Sequence, residues 1–205
     1  MPDITAASAF GVKGAQSHVA IARLENIDVL LPVREDATTA IAYHVVDNPG
    51  TVPFTPIGEL VSGGGITGQL ADAVDGGGGV EYHLMDGDSA AGTAGLDVGA
   101  VPGSLIRSPV EGQITNIKEY KLYGEFVDYE IDITLAANPS VMLVITHVAA
   151  PMVAVGDPVI AGETRLGKVR AFPSEIEQSL KAYTSDAGDH VEMLALRIQP
   201  KLDGI

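Results

Sequence analysis

The stretch Tyr129-Glu130-Ile131-Asp132-Ile133-Thr134-Leu135 alternates polar and apolar residues without a break. Only an extended chain sends successive side chains to opposite faces, so this run reads as a strand with Ile131, Ile133 and Leu135 on a core and the other side in water. Ile114 to Tyr123, Val141 to Val148 and Val191 to Ile198 are runs of similar length, divided by turn-forming segments. Met142 to Val148 is almost wholly apolar up to His147, as expected of a strand covered on both faces. With 24 Gly and 12 Pro against 5% aromatic residues, the chain favours many short strands over long helices. The expected fold is mostly β: a sandwich or half-barrel of short antiparallel strands.

One short helix is predicted near 174–183, with Ser174 as N-cap, Glu177 three residues on, and Ile176, Leu180 and Tyr183 at helical spacing. Upstream, residues 1–20 are small and polar and read as a flexible arm. Residues 21–80 read as a β/loop extension. Its apolar clusters, Ile27 to Val33 and Ile41 to Val45, fit two strands, with Pro32 opposing a helix. Asn48-Pro49-Gly50 and the glycine runs at 63–65 and 76–79 make residues 48–80 a loop, and 81–205 forms the main β-domain.

Asp and Glu total 27 against 12 Lys and Arg, a formal charge of −15, which opposes contact with phosphate backbones and argues against nucleic acid as a partner. No stretch approaches the ~18 apolar residues of a membrane span. The absence of cysteine leaves His, Asp and Glu as the only side chains for a metal. Asp72, Asp75, Asp86 and Asp88 lie among glycines, but their spacing is not that of a calcium loop. Neither a nucleophile elbow nor a phosphate loop is present.

Two glycine-bearing segments form a paired signature: Ser108-Pro109-Val110-Glu111-Gly112-Gln113-Ile114, and Val153 to Glu163 with its Gly156-Asp157-Pro158-Val159 turn. The pair resembles the half-barrel (duplicated hybrid motif) shared by lipoyl and biotinyl carriers and by M23 (LytM/lysostaphin-like) zinc peptidases. Lys118 and Lys121 lack the hairpin-tip context of a carrier lysine. Three further segments resemble the M23 motifs in order: Thr93-Ala94-Gly95-Leu96-Asp97, Ile145-Thr146-His147-Val148 and Gly188-Asp189-His190-Val191-Glu192. The resemblance implies metal positions at Thr93, Asp97 and Glu192, and catalytic places at His147 and His190. Thr93 and Glu192 stand where the family has histidine, so one ligand is lost and one exchanged. His83 in Glu81-Tyr82-His83, or His44 in Ala42-Tyr43-His44, could replace the lost ligand in space.

This pattern leads us to expect a degenerate M23-like module, leaning towards non-catalytic, and secreted or held in the cell envelope. Its partners would be peptidoglycan peptides or an envelope protein, with no cofactor. One alternative is a zinc metallopeptidase with a variant site of Asp97, Glu192 and His190 or His83, with His147 as acid, base or transition-state donor. Another is a structural subunit that oligomerises through the amino-terminal arm.

Overall fold

The computed structural model describes residues 19–61, 80–85 and 93–198. Most of the predicted amino-terminal arm, both glycine runs, and Asp72, Asp75, Asp86 and Asp88 lie outside the described residues. In chain order the strands begin β1 (Ala20–Leu24), β2 (Ile27–Leu30), β3 (Thr38–His44), β4 (Thr55–Pro56), β5 (Glu59–Leu60), β6 (Glu81–Leu84) and β7 (Gly95–Ala100). They continue β8 (Leu105–Arg107), β9 (Gly112–Leu122), β10 (Phe126–Leu135), β11 (Val141–Ala149), β12 (Pro158–Val159), β13 (Arg165–Val169) and β14 (His190–Arg197).

The main sheet runs β12-β9-β10-β11-β14-β7-β3-β6-β5, with β13 linking β11 to β8, and among the described residues the sheets form no closed barrel. Pairing is antiparallel from β12 to β3 and parallel where β6 meets β3 and β5. A small sheet, β2-β1-β4, covers one face. Between the two layers lies the core, in which Ile21, Leu24 and Val29 of the small sheet join Ile131, Ile133, Leu143, Ile145, Leu96 and Met193. Each such side chain, removed from water, contributes roughly 1.5–3 kcal/mol. Hydrogen bonds stitch the layers together: Tyr43 Oη donates to the Ile21 carbonyl at 2.8 Å, and Phe54 N–H donates to the Thr93 carbonyl at 2.9 Å.

The period of two is visible in every central strand. In β3, Ile41 and Tyr43 enter the main core, while Ala40 and Ala42 face the opposite side and pack under Leu180. Leu96 and Val98 of β7, and Val191 and Met193 of β14, likewise enter the core. That leaves Asp97 and Glu192 on the other face, directly opposite one another. β3 lies beside β7 in the sheet, so residues on both sides of the boundary drawn at 80/81 share one core.

Two local expectations change. The segment at 174–183 forms a 3-10 helix over Ser179–Tyr183, begun at Gln178 and not at Ser174. Buried Leu180 and the Tyr183 hydroxyl, which donates to the Met85 carbonyl at 3.0 Å, anchor this short helix to its surroundings. In β10, Asp132 is not in water but 6% exposed, accepting a hydrogen bond from Asn116 Nδ2 at 3.0 Å. Within 48–80, β4 and β5 form short strands among the described residues.

Candidate metal centre

The second face of the main sheet gathers five side chains from four strands: His44 of β3, Asp97 of β7, His190 and Glu192 of β14, and His147 of β11. Register explains the convergence. His44 follows two residues after Ala42, which pairs with Asp97, and Asp97 pairs with Glu192. Thr146 pairs with Glu192 in turn and donates its hydroxyl to Glu192 Oε2 at 3.0 Å, fixing that carboxylate.

His147 joins the group by a backbone irregularity. Strict alternation would point it away from the face that carries Thr146, but the β10–β11 register shifts between Tyr129 and Ile131, and His147 has φ +63°. A left-handed non-glycine residue is costly, of order 1–3 kcal/mol, and persists only where its surroundings over-determine it. Here the surroundings are Asp128, which accepts from His147 Nδ1 at 2.9 Å, and Phe172, whose ring meets the imidazole edge-on at 4.8 Å.

Gly95 and Gly99 flank Asp97 on the same face and keep it open. A Cβ at Gly95 would overlap the His44 ring, and one at Gly99 would press on Leu180 at 2.9 Å.

Ligand-capable atoms of His44, Asp97 and Glu192 lie within 4.8 Å of one another. His44 Nε2 is 3.5 Å from Asp97 Oδ1 and 3.6 Å from Glu192 Oε1. His147 Nε2 is 3.7 Å from Glu192 Oε2, and His190 Nε2 is 3.9 Å from Asp97 Oδ2. The far nitrogen of each ring is held by an oxygen that can only accept: Val45 O for His44 at 3.1 Å, Asp128 Oδ2 for His147 at 2.9 Å and Gly188 O for His190 at 2.8 Å. All three imidazoles therefore carry their proton on Nδ1 and turn Nε2 towards the two carboxylates.

Three nitrogen lone pairs and two carboxylates facing one another repel unless a cation lies between them. At 3.5 Å the His44–Asp97 approach is too long and misaligned for a good hydrogen bond, and Asp97 Oδ1 is buried without a hydrogen-bond partner. The polar approach of the Asp97 carboxylate to the His44 ring outweighs the opposing effect of burial and, with the charge of Asp97, the Val45 carbonyl and Glu192 adding to it, pushes His44 up to about 9. Without a metal, a proton on His44 Nε2 serves as the compensating charge. The donor set suits a divalent cation such as zinc, with nitrogen and carboxylate ligands and each far nitrogen anchored by an outer partner.

His190 is stacked on Phe172, with centroids 5.2 Å apart and planes at 22°, and stands 5.0 Å from His147. Phe172 is held by its backbone N–H, which donates to Asp189 Oδ1 at 2.6 Å, and Arg170 lies over its ring at 5.7 Å.

Of the residues singled out in the sequence, Asp97, Glu192, His147 and His190 come together. His83 does not: it sits in β6 opposite Ala42, its ring lies against Tyr183 at 5.1 Å, and burial lowers its pKa. The donor beside Asp97 is His44. Thr93 is buried just before β7. Asp128 and Tyr120 carried no signal in the sequence: Asp128 continues the polar positions of the alternating strand, and Tyr120 lies in a run without strict alternation.

Neither a family model nor a curated protein matches the chain. Among solved structures, Helicobacter pylori Csd3 is similar in two crystal forms. The orthorhombic form has 21% identity over 53% of this chain and 26% of that one, with a TM-score of 0.35. For the hexagonal form the values are 22%, 56%, 27% and 0.36. The chain thus spans about a quarter of the length of those structures, and at these TM-scores the functional reading rests on the side chains alone.

Proposed function

We propose that this chain is a metal-dependent hydrolase of M23-like design, acting on peptide bonds of the cell envelope, with His44, Asp97 and Glu192 as its metal ligands. The observation that carries the reading is the convergence of three Nε2 atoms, each freed by an acceptor on the opposite nitrogen, on the Asp97–Glu192 pair. A divalent metal held there would supply Lewis acidity towards a substrate carbonyl and acidify a water molecule. His147 Nε2, with its proton on the other nitrogen, is placed to accept a proton from an attacking water. His190 Nε2, beside it, offers a second position for that proton. Asp97 and His190 are almost fully covered while Glu192 and His44 are partly open, so the centre is shielded yet reachable from the face of the sheet. The M23 resemblance suggests peptidoglycan peptides as substrate and an extracellular or envelope location.

The test is titration of chelator-treated protein with zinc, followed by an assay for new amino termini from cross-linked peptidoglycan peptides. One tightly bound zinc per chain and chelator-sensitive cleavage are expected. No bound metal at micromolar free zinc would sink the reading.

A second reading, a non-catalytic envelope module, is favoured by one observation: the two carboxylates neutralise a divalent charge and weaken its action on water. Tight zinc binding with no cleavage of any peptide tested would select it.

A further inference from the structure

Behind His147, away from the Asp97–Glu192 pair, lies a carboxylate that the metal site itself does not use. Asp128 is fully buried. Its Oδ2 accepts from His147 Nδ1 at 2.9 Å and from the Tyr120 hydroxyl at 3.0 Å, and its Oδ1 accepts the Tyr129 backbone N–H at 2.8 Å. Arg170 Nε stands 3.7 Å from Oδ2, its guanidinium tied by a 2.7 Å bond from Nη2 to the Val127 carbonyl and resting over Phe172. A carboxylate removed from water is tolerable only when its lone pairs are filled and a cation is close, and both conditions are met here. Tyr120 adds to this: burial first, and the Asp128 carboxylate next, push its hydroxyl up, so it remains a donor.

We infer that Asp128 is a positioning residue that holds His147 in its Nδ1–H tautomer and so keeps the Nε2 lone pair turned into the site. The catalytic value of this role rests on the hydrolase reading, whereas the tautomer can be read without activity. Tyr129 N–H cannot reverse its polarity, so an amide replacing the carboxylate must give that donor its oxygen. The NH₂ of the amide then faces His147 Nδ1, while the Tyr120 hydroxyl rotates to accept. Asp128→Asn therefore forces the imidazole to the Nε2–H tautomer, with a proton where the free lone pair is needed.

The experiment is ¹⁵N NMR of histidine-labelled, metal-free full-length protein at alkaline pH. Wild type is expected to show His147 protonated on Nδ1, with its proton shifted downfield by the carboxylate. Asp128→Asn is expected to show it protonated on Nε2. An Nε2–H tautomer in wild type, or an unchanged tautomer in the variant, overturns the assignment, and the wild-type spectrum decides alone if the variant does not fold. With peptide substrate, Asp128→Asn should lower kcat by about 10²–10⁴-fold and leave KM within about threefold. A kcat unchanged in the variant overturns the catalytic part. A wild type that binds zinc but cleaves nothing, with His147 on Nδ1–H, removes the hydrolase reading and leaves the positioning role intact.

Discussion

Gly95 lies beneath the His44 imidazole so closely that a single methyl group in its place would overlap the ring. Asp97, two residues further along β7, is thereby given a nitrogen donor from the neighbouring strand. Gly95→Ala should push the ring off Asp97, reduce zinc affinity at least tenfold and cost about 1–3 kcal/mol of stability by overpacking. Zinc titration paired with a denaturant melt separates the two effects. Affinity equal to wild type would show that the ring does not need this space.

His44 and His83 lie on the adjacent strands β3 and β6 but two residues out of register, since His83 pairs with Ala42. His44→Ala is expected to lower zinc affinity by about 100-fold or more, as removing a ligand from a three-donor site should. His83→Ala should stay within about threefold of wild type. The reverse ranking would assign the metal to the other histidine.

Glu192 and Asp97 form a cross-strand pair of like charge, which in a sheet is destabilising by roughly 0.2–1 kcal/mol. Glu192→Gln relieves this while keeping an oxygen for the Thr146 hydroxyl. In metal-free protein the variant should melt about 1–4 °C higher than wild type, and with saturating zinc that order should reverse. Thermal melts with chelator and with zinc give the answer, and equal shifts under both conditions would contradict it.

Asp132 supplies a pH dependence away from the candidate metal centre. Burial above all, and Glu130 with it, raise its pKa against the weaker pull of Asn116 and Lys118, and its Oδ1 is buried without a partner. A carboxyl whose folded value is raised contributes stability that is whole below the unfolded value of about 3.9 and is lost as pH climbs through the folded one. Asp132→Asn carries no such charge, so its advantage over wild type should be smallest below about pH 4 and grow towards neutrality. Denaturation midpoints at acidic and neutral pH test this, and an offset independent of pH would rule it out.

Much of the fold was legible because a period of two is a local property. The predicted runs Ile114 to Tyr123, Tyr129 to Leu135, Val141 to Val148 and Val191 to Ile198 match β9, β10, β11 and β14 closely. Asp97, His147, His190 and Glu192 were legible only through the resemblance of the segments that hold them to the M23 motifs. Three things resisted. His44 serves Asp97 from another strand, and lateral neighbours leave no fixed spacing in a sequence. Asp128 is indistinguishable by pattern from Glu130, and only the shifted register places it behind His147. The segment around Ser174 has helical spacing, but anchoring by Leu180 and Tyr183 decides its geometry.

β3 reaches its place in the sheet from far upstream of the motif segments. A fragment beginning at residue 81 would retain every one of those segments and still lack the nitrogen that sits beside Asp97. Cation uptake would then report on docking: on the proposed ligand set the centre is complete only once β3 has closed against β7, and an unfinished sheet lacks one of its three ligands.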